Sequence, residues 1–132
     1  MEVDRKIDHI GIAVKDIHEV ERAYSALFGE GSETEVVEGE GVKTKFFKAG
    51  DARMELLESA KEGSAIQRSI EKRGEGLHHI AIQVEDIEDE MERLKELGLK
   101  FTTERPTTGA GGHKVAFVHP KSLKILLELV EM

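Results

Sequence analysis

Apolar and polar positions alternate with period two over residues 7–14, IDHIGIAV, and again over residues 77–84, LHHIAIQV. Both stretches are rich in Ile and Val, which predicts two half-buried strands. The period then changes. After the first strand, Ile17, Val20, Tyr24, Leu27 and Phe28 recur at helical spacing. Asp16 with Glu19 three residues on reads as the capping box that starts this helix, and Gly29 closes it. Asp86 starts a second helix over 86–97, stopped by Gly98. Further strand patterns lie near 34–38, 42–48 and 53–58, and near 99–103, 114–118 and 124–130. Between the two sets, Ser64 to Arg73 reads as a short helix, with Ser64 and Gln67 as its capping box and Gly74 as its stop.

The order of elements is written twice. Residues 7–17 and 77–87, offset by 70, are identical at six of eleven positions: His9/His79, Ile10/Ile80, Ile12/Ile82, Val14/Val84, Asp16/Asp86 and Ile17/Ile87. Met54-Glu55-Leu56 answers Leu127-Glu128-Leu129 at an offset of 73, which fits a small insertion in the second half. Each copy is a βαβββ module, so the fold class is α+β, with helices outside a curved, mostly antiparallel sheet. The expected organisation is one domain over 1–132: a first module at about 5–60, a linker helix at about 64–74 and a second module at about 76–132.

Composition narrows the function classes. The 132 residues are 39% hydrophobic and 35% charged, a globular composition large enough for its own core. There is no cysteine, which excludes disulfides, thiolate metal sites and cysteine nucleophiles. A net charge of −8 argues against nucleic acid as a partner. No apolar run reaches membrane-spanning length and the amino-terminal stretch lacks the pattern of a signal peptide, so the expectation is a cytoplasmic protein without a membrane partner.

Period-two geometry puts His9 on one face with Ile7, Gly11 and Ala13, and His79 with Leu77, Ala81 and Gln83. The opposite faces are bulky and aliphatic and should pack under the helices. Small neighbours around each histidine leave room for a cavity. Glu55 and Glu128 lie in apolar runs, where a carboxylate is costly to bury unless paired or bound to a cation. If a pseudo-twofold axis relates the modules, His9, Glu55, His79 and Glu128 surround one point, a set suited to a divalent ion with open positions. The remaining candidates are weaker. His78 reads as packing at the opposite face or the module edge, and His18 and His119 as structural. Gly109–Gly112 is either a loop closing over ligand or a permissive turn. Lys45, Lys48, Arg53, Arg68, Lys72 and Arg73 are surface residues or partners for ligand phosphates.

These features resemble the vicinal oxygen chelate superfamily, which includes glyoxalase I and extradiol dioxygenases. Within it, KIDHIGIAVKDI at 6–17, MELLE at 54–58, EKRGEGLHHIAIQVEDI at 71–87, GAGGHKVAFVHPKS at 109–122 and LLELVE at 126–131 are similar to the methylmalonyl-CoA epimerases. The resemblance implies an eight-stranded open cup around a metal held by His9, Glu55, His79 and Glu128. It further implies a divalent cofactor, cobalt first with zinc, manganese or nickel as alternatives, an acyl-CoA substrate and a homodimer. Three features depart from the family pattern. Residues 120–125 lack the glycine usual before the last strand, the connection 29–41 is slightly short, and Thr44 stands where some relatives carry a proton-transferring acid.

The activity so implied is interconversion of (2R)- and (2S)-methylmalonyl-CoA by proton removal and return at C2 through a metal-stabilised enolate. Two proton-transfer groups on opposite faces are the simplest arrangement, with Glu128 as one and Glu55 as the weaker choice for the other. The alternatives are a glyoxalase I-like lyase or isomerase acting on a thiol adduct, and a non-catalytic binding protein of the same fold. Metal removal separates the last from an enzyme, because only an enzyme would lose its function.

Overall fold

A computed structural model describes residues 3–132. Its elements are β1 (Ile7–Ala13), α1 (Ile17–Phe28), β2 (Glu35–Val37), β3 (Val42–Ala49), β4 (Ala52–Ser59), α2 (Ala65–Arg73), β5 (Gly76–Val84), α3 (Ile87–Glu96), β6 (Thr107–Thr108), β7 (Lys114–Val118), α4 (Pro120–Leu123) and β8 (Leu127–Glu131). All eight strands form one sheet in the order β2-β3-β4-β1-β5-β8-β7-β6. Each module contributes the same order, and the two are joined where β1 pairs antiparallel with β5. Only β1/β4 and β5/β8 are parallel. The sheet is therefore mostly antiparallel and curls into an open half-barrel. No helix among the described residues is long and apolar enough to cross a membrane.

The expected N-caps form, but neither capping box closes: Gln67 Oε1 accepts from the Gly63 N–H and not from that of Ser64, and Glu19 meets Asp16 only through its backbone N–H. Asp16 accepts from the His18 N–H, Asp86 from that of Asp89 and Ser64 from that of Gln67. Gly29 and Gly74 end their helices at φ 90° and 82°, a region costly for other residues. The bulky face of each central strand packs outward under a helix, as expected. Val14, Ile17, Phe47 and Leu56 form the core beneath α1, with Ile12 and Val20 against it. Val84, Ile87, Met91, Val118 and Leu129 form its counterpart beneath α3. Phe47, Leu56 and Ile87 are fully buried, each contributing about 2–3 kcal/mol of apolar burial. α2 sits instead on the concave side, where Ile66 and Ile70 pack on Ala13, Val42 and Leu57 and build one wall of the cup.

Two expected strands differ. Residues 99–103 are not a strand: Phe101 makes an isolated bridge to Val118, and the edge strand is Thr107–Thr108. The chain bends through Thr102–Arg105 before Pro106, which has no N–H for a ladder and restricts the residue before it. The strand expected from 124 begins at Leu127. Pro120 opens the short helix α4, capped by His119, and Lys124 reverses the chain at φ 69°.

Candidate metal centre

Of the seven buried polar or charged residues, five converge on one place: Asp8, His9, Glu55, His79 and Glu128. Thr44 and Ser64 are the others. With 46 charged side chains available (19 basic and 27 acidic), the described chain buries carboxylates only here. Burial of this kind demands compensation.

Strand register brings the set together in two equivalent rungs across the sheet. One rung runs Phe46, Glu55, Gly11, His79 through β3, β4, β1 and β5. The other runs Phe117, Glu128, Ala81, His9 through β7, β8, β5 and β1. Each rung supplies one carboxylate and one imidazole, so the four expected ligands come two from each module. The small residue of each rung lies between its carboxylate and its histidine. A Cβ on Gly11 would fall 2.3 Å from Cε1 of His79, which explains the glycine. Phe46 and Phe117 stand edge-on to His9 and His79, each at 5.6 Å between centroids.

The β1–β5 register slips twice, and both slips fall beside the histidines of the cluster. Asp8 is an extra residue on β1 between Ile7 and His9, and His78 is an extra residue on β5 between Leu77 and His79. A bulge turns two successive side chains toward the same side. His78 therefore lines the cavity instead of facing away from it, contrary to the alternation of a regular strand. Asp8 and His78 occupy equivalent positions and do equivalent things. Asp8 Oδ2 lies 2.6 Å from His9 Nδ1, and His78 Nδ1 lies 2.9 Å from His79 Nδ1. Each outer partner orients a ring so that Nε2 points inward. Asp8 is itself held by Arg53 at 2.8 Å and Gln83 at 3.0 Å, and that network keeps its carboxyl far below the usual carboxylate range despite burial.

The inward atoms have the spacing of ligands around one ion. His9 Nε2 and His79 Nε2 are 3.1 Å apart. Glu128 Oε1 lies 2.9 Å from the first and 3.1 Å from the second. Glu55 Oε1 lies 3.2 Å and 3.4 Å from the same two nitrogens. Two donors bound at about 2.1 Å to one ion at right angles lie about 3.0 Å apart. His9, His79 and Glu128 form a set whose donor atoms all lie within 4.8 Å, and Glu55 joins it through the imidazoles. Glu128 Oε1 is fully buried, and although it lies close to both imidazoles it completes an aligned hydrogen bond with neither. Two nitrogens facing each other and an orphaned carboxylate oxygen are what a divalent cation resolves, so the residues fit the ion.

Electrostatics without an ion point the same way. Burial opposes charge on His9, but Asp8, Glu128 and Glu55 overcome it and raise the ring to about 11. His79 is likewise buried and is raised by Glu128 and Glu55. Burial alone would raise Glu55, yet His79 and His9 hold it at about 2, and Glu128 is lowered by the same pair. Protons stand in for the ion. Because an imidazole must be neutral to ligate, ion binding is expected to release at least one proton. Affinity should then strengthen by about tenfold or more per pH unit as pH rises through neutrality. Calorimetry in buffers of different ionisation enthalpy measures this directly; equal affinity at about pH 6 and pH 8 would contradict the imidazole ligand roles.

Above the cluster lies a cavity of about 270 Å³. Its floor is the four-residue set; Phe46, Phe117, Val115, Ile66 and Ala110 supply apolar walls, and Glu40, Arg53, His78 and His113 reach its polar edge. Glu40 comes from the turn between β2 and β3. Burial pushes its carboxyl up to about 7, helped by the negative charges of Glu128 and Glu55. Gly109–Gly112 is the corresponding turn of the second module, and Gly111 N–H donates to Glu35 at 3.1 Å across the mouth. Thr44 is buried on the inner face of β3 with its hydroxyl unpartnered. Lys45 and Lys48 stay on the outside, Lys45 paired with Glu21. His18 is exposed against Glu21, and His119 caps α4.

Sequence reasoning found the four converging donors and missed Asp8, Phe46, Phe117 and Glu40. The pairs Asp8/His78 and Phe46/Phe117, at offsets of 70 and 71, were available in the repeat. Glu40 has no such signal, because its burial comes from the closing of two turns.

Comparison with known proteins agrees with the geometry. The hypothetical protein BH1468 from Bacillus halodurans superposes with a TM-score of 0.94 at 41% identity, over 98% of this chain and 96% of that one. Streptomyces coelicolor methylmalonyl-CoA epimerase in complex with 2-nitronate-propionyl-CoA superposes with a TM-score of 0.89 at 35% identity, over 96% of each chain. The mitochondrial methylmalonyl-CoA epimerase of Dictyostelium discoideum is 33% identical over 96% of this chain and 78% of its own length. Residues 8–117 match the model of the Glyoxalase/Bleomycin resistance protein/Dioxygenase superfamily, and with this fold and this pair of rungs the chain belongs to that superfamily.

Proposed function

We propose that the protein is a metal-dependent epimerase that interconverts (2R)- and (2S)-methylmalonyl-CoA, with His9, Glu55, His79 and Glu128 as the metal ligands. The observation that carries this reading is the convergence of two imidazoles and two carboxylates on the floor of a cavity of about 270 Å³. That volume suits a small branched acyl head and leaves the rest of a coenzyme A ester outside. Support for the ester comes from a groove along α2 that shares Ala65 and His78 with the cavity and is lined by Arg68, Lys72 and Arg73. These cations give ligand phosphates a partner on a chain of net charge −8. The relatives whose structures hold acyl-CoA compounds support it further.

A bound divalent ion, cobalt in our reading, would supply Lewis-acid stabilisation of the negative charge that develops on the thioester oxygen. The chain's own residues do the rest. Phe46, Phe117 and Val115 exclude water around the acyl group, which strengthens every charge interaction on the floor. Asp8 and His78 fix the two rings. Glu128, on the floor of the cavity, moves a proton at C2, and Glu55 is the other carboxylate of the floor. A homodimer is part of the same reading.

The test is hydrogen–deuterium exchange at C2 of methylmalonyl-CoA in heavy water, on cobalt-loaded protein and on a chelated control. Metal-dependent exchange with transfer between epimers is expected. A folded, metal-loaded sample that exchanges nothing rules the epimerase out and directs attention to glutathione-type adducts.

A further inference from the structure

Inversion at C2 needs a proton-transfer group on each face of the substrate, and the floor of the cavity offers only residues that also serve as ligands. Glu55 and Glu128 both hold Oε1 within 3.4 Å of the two imidazole Nε2 atoms, so the floor serves one side of the substrate and leaves the other without a group. The inner wall of β3 carries Val42, Thr44 and Phe46, and Thr44 is 1% exposed and has only a hydroxyl. The next inward position toward the mouth is Glu40.

Resting on the epimerase reading above, we propose that Glu40 is the second proton-transfer group, working on C2 from the lip of the cup while Glu128 works from the floor. Glu40 lines the same cavity as the ligands, and its side chain makes no hydrogen bond or ion pair with any described residue. Its Oε2 lies beside the Gly109 turn of the second module, 3.7 Å from where a Cβ on that glycine would be. The turn that carries it is fixed: Glu40 N–H donates to Val37 O at 3.1 Å, Gly41 N–H to Glu38 O at 3.1 Å, and Ala60 N–H to Gly41 O at 2.7 Å. Gly41 at φ 66° lets the chain turn there. A free carboxylate on a fixed turn, facing two carboxylates across a cavity, serves no packing or pairing purpose in the fold. Its burial raises it to about 7, where both protonation states are available for taking and returning a proton.

The step balances without a co-reactant. The carboxylate on one side takes the C2 proton and becomes a carboxylic acid, leaving the electron pair on the substrate as its enolate. The protonated carboxyl on the other side gives its proton to the opposite face. The two groups end with protonation exchanged, and the reverse reaction or exchange with water restores them.

The experiment uses cobalt-loaded wild-type and Glu40→Gln protein in heavy water, with each epimer of methylmalonyl-CoA supplied separately. The wild type is expected to exchange and invert both. Glu40→Gln should lose inversion by about a hundredfold or more while one epimer, the one whose C2 hydrogen faces Glu128, still gains deuterium with retention. The cobalt absorption spectrum should be unchanged, since Glu40 is not a ligand, and Glu40→Asp should recover part of the inversion. Inversion by Glu40→Gln within about threefold of wild type overturns the assignment and leaves the epimerase reading standing. So does equal loss of exchange from both epimers, which would make Glu40 a positioning residue. A wild type that neither exchanges nor inverts overturns the epimerase reading, and the role of Glu40 with it, before any variant is compared.

Discussion

His79→Ala protein is expected to bind divalent cobalt or zinc more than about a thousandfold more weakly than wild type and to lose metal-dependent exchange at C2. His79 contributes one of the two Nε2 atoms to which both Glu55 and Glu128 are held, at 3.4 Å and 3.1 Å. Without it, two buried carboxylates share a single imidazole. The ion-free protein should also be destabilised, by about 3–5 kcal/mol, because removing one member of a buried charged cluster strands the others. Competition against a chromogenic chelator reads the affinity, and urea unfolding of the ion-free protein reads the stability. Affinity within about tenfold of wild type would remove His79 from the ligand set.

The second large effect comes from a residue with no donor atom. Gly11→Ala places a Cβ 2.3 Å from Cε1 and 2.5 Å from Nδ1 of His79. The ring has nowhere to go. His78 lies 2.9 Å from its Nδ1, His9 3.1 Å from its Nε2, and Phe117 stands edge-on beyond. Either β1 shifts or the imidazole leaves its position. A loss of about 2–3 kcal/mol in stability and about 10–100-fold in ion affinity is expected. Gly39→Ala is the control: it lies on the same cavity, at a negative φ, and its added Cβ meets nothing within 4 Å. If both variants behave alike, the packing of His79 over Gly11 does not set the site.

The sequence made the site legible because the chain repeats itself. A single histidine on a strand or a glutamate in an apolar run has many explanations. His9 with His79, and Glu55 with Glu128, at matched positions have few, since symmetry carries equivalent positions to one place. The alternation of IDHIGIAV and LHHIAIQV likewise gave the two faces of the central strands, and Asp16, Ser64 and Asp86 marked helix starts that the hydrogen bonds reproduce. Alternation fails at Asp8 and His78. A bulge is a property of the pairing between β1 and β5, and nothing in either strand alone announces it. Residues 99–103 look like a strand for the same reason. Their apolar content is real, and Phe101 does bridge Val118, but the chain bends before Pro106 and only Thr107–Thr108, paired further along β7, continues as a ladder.

By itself, then, the amino-acid order determined what depends on local periodicity and on the repeat: the βαβββ order written twice, the helix boundaries, the face of each central strand and the four converging donors. Only the tertiary structure decided what depends on register and on closure between segments distant in the chain. Register put Gly11 beneath His79, set Asp8 and His78 behind the two rings and aligned Phe46 and Phe117 with their carboxylates. Closure of the turns at Glu40 and Gly109 drew a half-buried carboxylate to the cavity, and nothing in the sequence around Glu40 announces it. The difference is physical: periodicity is fixed by the backbone geometry of one element, whereas burial and side-chain environment exist only once separate elements meet.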